Sequence, residues 1–289
     1  MNLKGKVERK ETMSGLVEVV KELLRKDSDK RDSKQAWGPR FEHYTKVYEG
    51  AKFDDFNNFN INLVGLKDTV LACFPENVPS IKLVGSSATG TMRRGKEDLD
   101  LAVAFYEAID HKEFLNRVTG AGLNIREVNR NLKYGYLKIS GLHKGMAFVL
   151  VPMLHPNERI RTYEQDAFYH PDLINLSKSA THQMNVILMK EFFEQIGVYK
   201  EVKGISCELM ALHFQFFDAM LGHFAKKDSL RINFSSNNSA YASEPLIIDY
   251  PFLGGRSFTE KVTKDLYGHI QESARRVIGD FKYLRVNQK

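Results

Sequence analysis

The hydrophobic rhythm of the chain changes twice between Ile81 and Val103. Ile81-Lys82-Leu83-Val84 is a short apolar run that stops at Gly85, the pattern of a buried strand meeting a turn. Asp98-Leu99-Asp100-Leu101-Ala102-Val103 first alternates and then becomes continuously apolar, so it reads as a strand entering a core. A mixed sheet is predicted over about residues 80–155, with a helix near Asp110 to Gly120. Asn62 to Phe74 reads as a helix leading into the first strand. Ser14 to Leu24 carries apolar residues at helical spacing, ahead of a polar, charge-dense break from Asp27 to Gln35. From about Thr181 the pattern is mainly helical, including Cys207 to Leu221 and Thr259 to Val277, and Leu212, Phe214, Phe216, Phe217 and Met220 read as core. An α+β protein is expected: an N-terminal helical segment over 1–60, a mixed β-sheet flanked by helices over 61–160, and a mainly helical second domain over 161–289.

Composition narrows the setting. A chain of 289 residues with 43% hydrophobic composition can bury a substantial core. A net charge of +6 favours an anionic partner, nucleotide or nucleic acid. Cys73 and Cys207 sit among apolar neighbours and read as buried free thiols of a reducing compartment. The start, Met1 to Lys6, has no apolar signal core and no apolar run approaches a membrane span, so a cytoplasmic protein is expected. The histidines form no HExxH arrangement, which leaves histidine-based zinc hydrolysis without support.

The chemistry concentrates in Gly85-Ser86-Ser87-Ala88-Thr89-Gly90-Thr91 and the Asp98-Leu99-Asp100 that follows. Small residues after a strand let backbone amides approach an anion, and amides at a helix start favour phosphate. Side chains two apart on a strand share a face, so Asp98 and Asp100 are expected in one cleft with Leu99 and Leu101 packed behind. Paired carboxylates suit Mg²⁺ held together with substrate phosphates. Arg93, Arg94 and Lys96 flank the site as candidate RNA contacts, and Arg126, Arg130, Lys133, Lys138 and Lys144 follow in the same region.

Gly-Ser-x-x-x-Gly-Thr followed by Asp-x-Asp resembles the head domain of the DNA polymerase beta-like nucleotidyltransferase superfamily. The later sequence is most similar to the archaeal-type, class I CCA-adding tRNA nucleotidyltransferases and the oligoadenylate synthetases. Ala167-Phe168-Tyr169-His170 resembles the segment with a triphosphate-contacting histidine, and Asn185 to Phe193 the helix with a phosphate-binding lysine, here Lys190. Tyr199 stands where the family places another triphosphate contact. Gly204-Ile205-Ser206 matches the start of the next helix, and Leu246 to Asp249 with Pro251 and Arg256 resembles the segment whose arginine helps read the base. The resemblance implies a metal pair of Asp98 and Asp100, nucleotide contacts from Gly85, Ser86, Thr89, His170, Lys190, Tyr199 and Arg256, and Mg²⁺ or Mn²⁺ as the metal. Its substrates would be an NTP, ATP first, and an RNA 3′ end or small nucleotide acceptor.

The chain departs from that family in three places. Where the third carboxylate is expected, just before a Val-Pro pair, Met146 to Pro152 carries Val149, and no acid occurs from Val128 to Asn157. Thr89 replaces a residue that is commonly basic near the primer end. The tRNA enzymes continue into domains that grip the tRNA body, whereas this sequence stops at Lys289, so measurement of a whole tRNA is not expected. Two functions follow as expectations: template-independent transfer of a nucleoside monophosphate, or a nucleotide- or RNA-binding pseudoenzyme acting as sensor, scaffold or regulatory subunit. For the first, Glu97 or the substrate's own phosphate would have to replace the lost acid.

Overall fold

The computed structural model describes residues 38–77, 79–131, 136–155, 163–179, 181–233, 244–249, 259 and 261–286. The helix expected at Ser14 to Leu24 and the base-reading Arg256 lie outside these residues. The chain forms two compact units. One is Phe53–Asp172, and the other joins residues up to Lys52 to those from Leu173 onward. The first helix among the described residues, α1 (Gly38–Ala51), belongs to the latter.

The Phe53–Asp172 unit is built on one sheet. Its elements are α2 (Phe56–Ala72), β1 (Ser80–Leu83), the single turn α3 (Gly85–Thr89), β2 (Asp98–Phe105), α4 (His111–Gly120), β3 (Asn124–Asn131), β4 (Tyr136–His143) and β5 (Met146–Leu154). The strand order is β1-β2-β5-β4-β3. β2 and β5 are parallel and the other pairs antiparallel, which makes the sheet mixed as expected. The period-two pattern decides the faces. Leu99, Leu101, Val103 and Phe105 of β2 join Phe148 and Leu150 of β5 on one side, against Phe59, Leu66 and Val70 of α2 and Phe114 and Val118 of α4. Phe74 locks that layer, stacked on Phe114 at 5.4 Å between centroids and edge-on to Phe105 at 5.0 Å. Each such fully buried side chain contributes about 1.5–3 kcal/mol relative to exposure. On the opposite face Ala102 and Ala104 pack with Val84, Met153 and Phe168.

Local signals start the two helices behind the sheet. The Asp55 carboxylate accepts from Asn58 N at 3.3 Å to begin α2, and Asp110 accepts from Lys112 N at 2.8 Å and Glu113 N at 3.0 Å to begin α4. These caps place α2 upstream of the expected Asn62 start and α4 where it was expected. The next helix, α5 (Tyr163–Ser177), carries Pro171 inside it and was not signalled by periodicity.

The second unit is mainly helical, with α6 (His182–Gln195), α7 (Tyr199–Val202), α8 (Gly204–Phe214), α9 (Phe217–Lys226) and α10 (Lys264–Gly279). Residues Asn185 to Phe193 of α6 are all buried, and α6 packs on α8, α1 and α9. A helix buried on every side is a central helix. The single helix expected over Cys207 to Leu221 is instead two. Gln215 adopts φ +60° and Phe216 is extended, and the buried Asn185 holds the break, donating to Gln215 O at 2.5 Å and accepting from Phe217 N at 3.0 Å. Two short strands, β6 (Leu230–Asn233) and β7 (Leu246–Asp249), pair in parallel and were not anticipated. Among the described residues no helix is long and apolar enough to cross a membrane.

Candidate nucleotide-binding site

β1 ends in a tight bend that is shaped for close approach. Val84 N donates to Asp100 O at 2.8 Å, tying the bend to β2. Gly85 then takes φ +66°, and Gly90, at φ +76°, closes the helical turn. Two hydroxyls are committed to its shape: Ser87 donates to Val84 O at 3.0 Å, and Thr89 lies 2.9 Å from the Thr91 hydroxyl and within reach of Gly85 O and Ser86 O. Thr89 is 2% exposed, so this candidate contact faces inward, while Ser86 remains partly exposed.

The Asp100 carboxylate lies against that bend. Asp98 and Asp100 are partly exposed, and Leu99 and Leu101 between and after them are fully buried. A Cβ added to Gly85 would overlap Asp100 Oδ2 and stand 3.1 Å from its Cγ and 3.2 Å from its Cβ. Gly85 therefore has no side chain because the Asp100 carboxylate occupies that space. Two hard oxygen donors on one partly open face, beside a glycine bend, fit Mg²⁺ bound with phosphate oxygens.

The register fixes the neighbour of that pair. Asp100 stands opposite Val149 on β5, and Val149 opposite Ser140 on β4. Paired positions on adjacent strands present their side chains to the same face, with strands about 4.7–4.9 Å apart. A third carboxylate on β5 would thus stand beside Asp100, and an isopropyl group stands there instead. Glu97 turns back on its own loop, accepting from Gly95 N at 2.6 Å. Among the described residues no cluster of three His, Cys, Asp or Glu side chains could hold a metal ion.

The other candidates are distributed over both units. His170 is buried on α5, in the same unit as the aspartates. Arg94 is exposed and pairs with Asp54 at 2.6 Å, Lys96 is exposed, and Arg93 is buried. Lys190 and Tyr199 belong to the helical unit and come together there at Gly204, where an added Cβ would meet Tyr199 Oη at 2.9 Å and Lys190 Cε at 3.4 Å. A residue that the sequence reading passed over joins them. Glu208 Oε1 lies 3.6 Å from Lys190 Nζ, both side chains almost fully buried. The available signal was an acid inside the apolar run Cys207-Glu208-Leu209-Met210 on a helix with no polar face.

The fold is that of the polymerase beta-like nucleotidyltransferases, a mixed five-stranded sheet with flanking helices followed by a helical unit. In sequence the chain is similar to archaeal CCA-adding enzymes. It is 27% identical to that of Methanosarcina mazei over 204 residues, covering 65% of this chain and 44% of the relative. It is 24% identical to that of Halobacterium salinarum over 202 residues, covering 67% and 45%. The chain thus matches less than half the length of these curated relatives. No protein-family model matches it. Among solved structures, the Cid1 poly(U) polymerase with magnesium and 3′-dATP superposes with TM-score 0.71 at 10% identity, covering 87% of this chain and all of the other. The Escherichia coli MS115-1 CdnC in its complex with HORMA-deltaN superposes with TM-score 0.61 at 15% identity, covering 81% and 90%.

Proposed function

We propose that this chain binds a nucleoside triphosphate, ATP first, with Mg²⁺ or Mn²⁺, and transfers its nucleoside monophosphate without a template to an RNA 3′ end or a small nucleotide acceptor. The observation that carries this reading is the placement of Asp98 and Asp100 on one partly open face, with Asp100 filling the space that Gly85 leaves. Asp98 and Asp100 would hold the metal, which when bound neutralises phosphate charge and aligns the groups exchanged. The Gly85–Ser86 backbone and His170 serve the triphosphate, Lys190 and Tyr199 its tail, and Arg256 the base. Arg94 and Lys96 offer exposed cations to an RNA acceptor.

Val149 favours a second reading, a nucleotide-binding protein with impaired turnover. Loss of a general base costs about 10²–10⁴ in rate. Incubation with labelled NTPs, Mg²⁺ or Mn²⁺ and short RNAs decides between them. Metal-dependent product in the unaltered protein that vanishes in Asp100→Ala supports transfer. Tight nucleotide binding without turnover, with activity gained in Val149→Asp, supports the second reading. If neither form binds nucleotide, both readings fail.

A further inference from the structure

In the helical unit a lysine and a glutamate lie out of water together. Lys190 on α6 and Glu208 on α8 bring Nζ and Oε1 to 3.6 Å, with side chains 3% and 4% exposed. Their neighbours along both helices are also buried and largely apolar: Ile187, Leu188, Met189, Phe192 and Phe193 on α6, and Leu209 and Met210 on α8. Removing two charges from water is costly, and apolar side chains of similar size often pack as well or better. Core packing therefore gives no reason for this pair. Gly204 supplies one, because its bare Cα draws the start of α8 against Tyr199 Oη and the Lys190 side chain. Glu208, one helical turn further along α8, is thereby joined to the two groups assigned above to the phosphate tail.

We infer that Glu208 is a specificity-determining residue of the phosphate-tail site, cancelling the Lys190 charge and so limiting the site's preference for a polyanionic tail. The inference rests on the assignment of Lys190 to that tail. A cation and an anion at 3.6 Å act as a neutral pair a few ångströms away, and a triphosphate reaching Lys190 also meets a carboxylate in a water-poor setting where like charges repel strongly. Discharging position 208 removes that counter-charge from beside the ammonium. Affinity should rise with the number of ligand charges, and adenosine should be indifferent.

The test is titration calorimetry of the full chain with ATP, AMP and adenosine, each at fixed Mg²⁺. Glu208→Gln should tighten ATP by about tenfold and leave adenosine unchanged, so that the ATP-to-AMP affinity ratio rises and ATP binding becomes more sensitive to salt. Glu208→Met should move the ratio the same way, and Glu208→Asp, which keeps the charge, should retain the original ratio. A merely structural carboxylate predicts equal losses for all three ligands. Lys190→Met separates the two levels of the argument. If it does not weaken ATP, the tail assignment is wrong and the inference falls with it. If it does, while Glu208→Gln leaves the ratio unchanged or lowers it, the inference alone is overturned. Failure of both neutral variants to fold also overturns it, because the carboxylate would then be needed for the fold.

Discussion

Replacing Gly85 by alanine should damage the site through a collision that the same change at Gly95 cannot produce. Both glycines have positive φ, +66° and +74°, so an alanine at either pays for the left-handed backbone, about 1–2 kcal/mol. At Gly95 nothing lies within 4 Å of the added Cβ, and the cost ends there. At Gly85 the methyl overlaps Asp100 Oδ2 and presses on Cγ at 3.1 Å and Cβ at 3.2 Å. Rotation can move the first two atoms, but Cβ is anchored to β2. Asp100 must leave its rotamer, at about 0.5–1.5 kcal/mol, or the tie between Val84 and Asp100 must open. Gly85→Ala should therefore lose about 1 kcal/mol more than Gly95→Ala in urea denaturation, and Asp100→Ala in the same chain should recover that excess as a coupling energy. On the proposed function Asp100 would hold the metal, and misplacing such a group by about an ångström can cost about 10²-fold, so MgATP binding should fall steeply in Gly85→Ala and hold in Gly95→Ala. Equal stability losses, no coupling with Asp100 and equal MgATP affinities would refute the stated geometry.

Three further changes test separate parts of the molecule. Asn185→Ala removes one donor from the part-buried Gln215 carbonyl and strands the buried Phe217 amide, and should destabilise by about 1–3 kcal/mol in urea denaturation, with the midpoint shifted and the slope unchanged. Gly204→Ala gains up to about 1 kcal/mol of helix propensity on α8 but pushes on Tyr199 Oη, so the melting temperature should hold or rise while ATP affinity drops severalfold. Burial, with a smaller contribution from Lys144, holds the His143 imidazole below its usual range, so the folded state prefers it neutral. Its stabilising contribution is present above about pH 6.5 and is lost as the pH falls through the lowered folded value, so His143→Gln should flatten the fall in melting temperature between about pH 7 and 5.

Most of the sheet unit was legible because its signals are local. Alternation in Asp98 to Val103 fixed which side chains face the core, and the run ending at Gly85 marked the bend. The break between α8 and α9 was not legible, because no glycine or proline announces it. The left-handed Gln215 is bracketed by two hydrogen bonds of Asn185, one to the Gln215 carbonyl and one from Phe217 N; Asn185 lies on another helix, and no window around Gln215 contains that information. β6 and β7 were hidden for the same reason: four-residue strands that pair across a long stretch of chain carry no periodicity of their own. Glu208 was passed over because an acid in a helix is normally a solvated charge, and its pairing with Lys190 comes from another helix, α6.

Val149 shows what a missing residue acquires from the register. In the sequence it is an absent acid within Met146 to Pro152, a statement about expectation alone. In the sheet it becomes a position, one strand spacing from Asp100 and on the same face, flanked beyond by Ser140. The acidic pair is therefore bounded on its β5 side by an aliphatic wall. An ion shared with a nucleotide's phosphates needs few protein oxygens, and Asp98 and Asp100 can supply them. An ion that had to bind at position 149 without phosphate help would find no oxygen there. On the proposed function, binding of the metal-chelated nucleotide and activation of an acceptor hydroxyl would thus be separable in this chain, and a single substitution on β5 would address the second without touching the first.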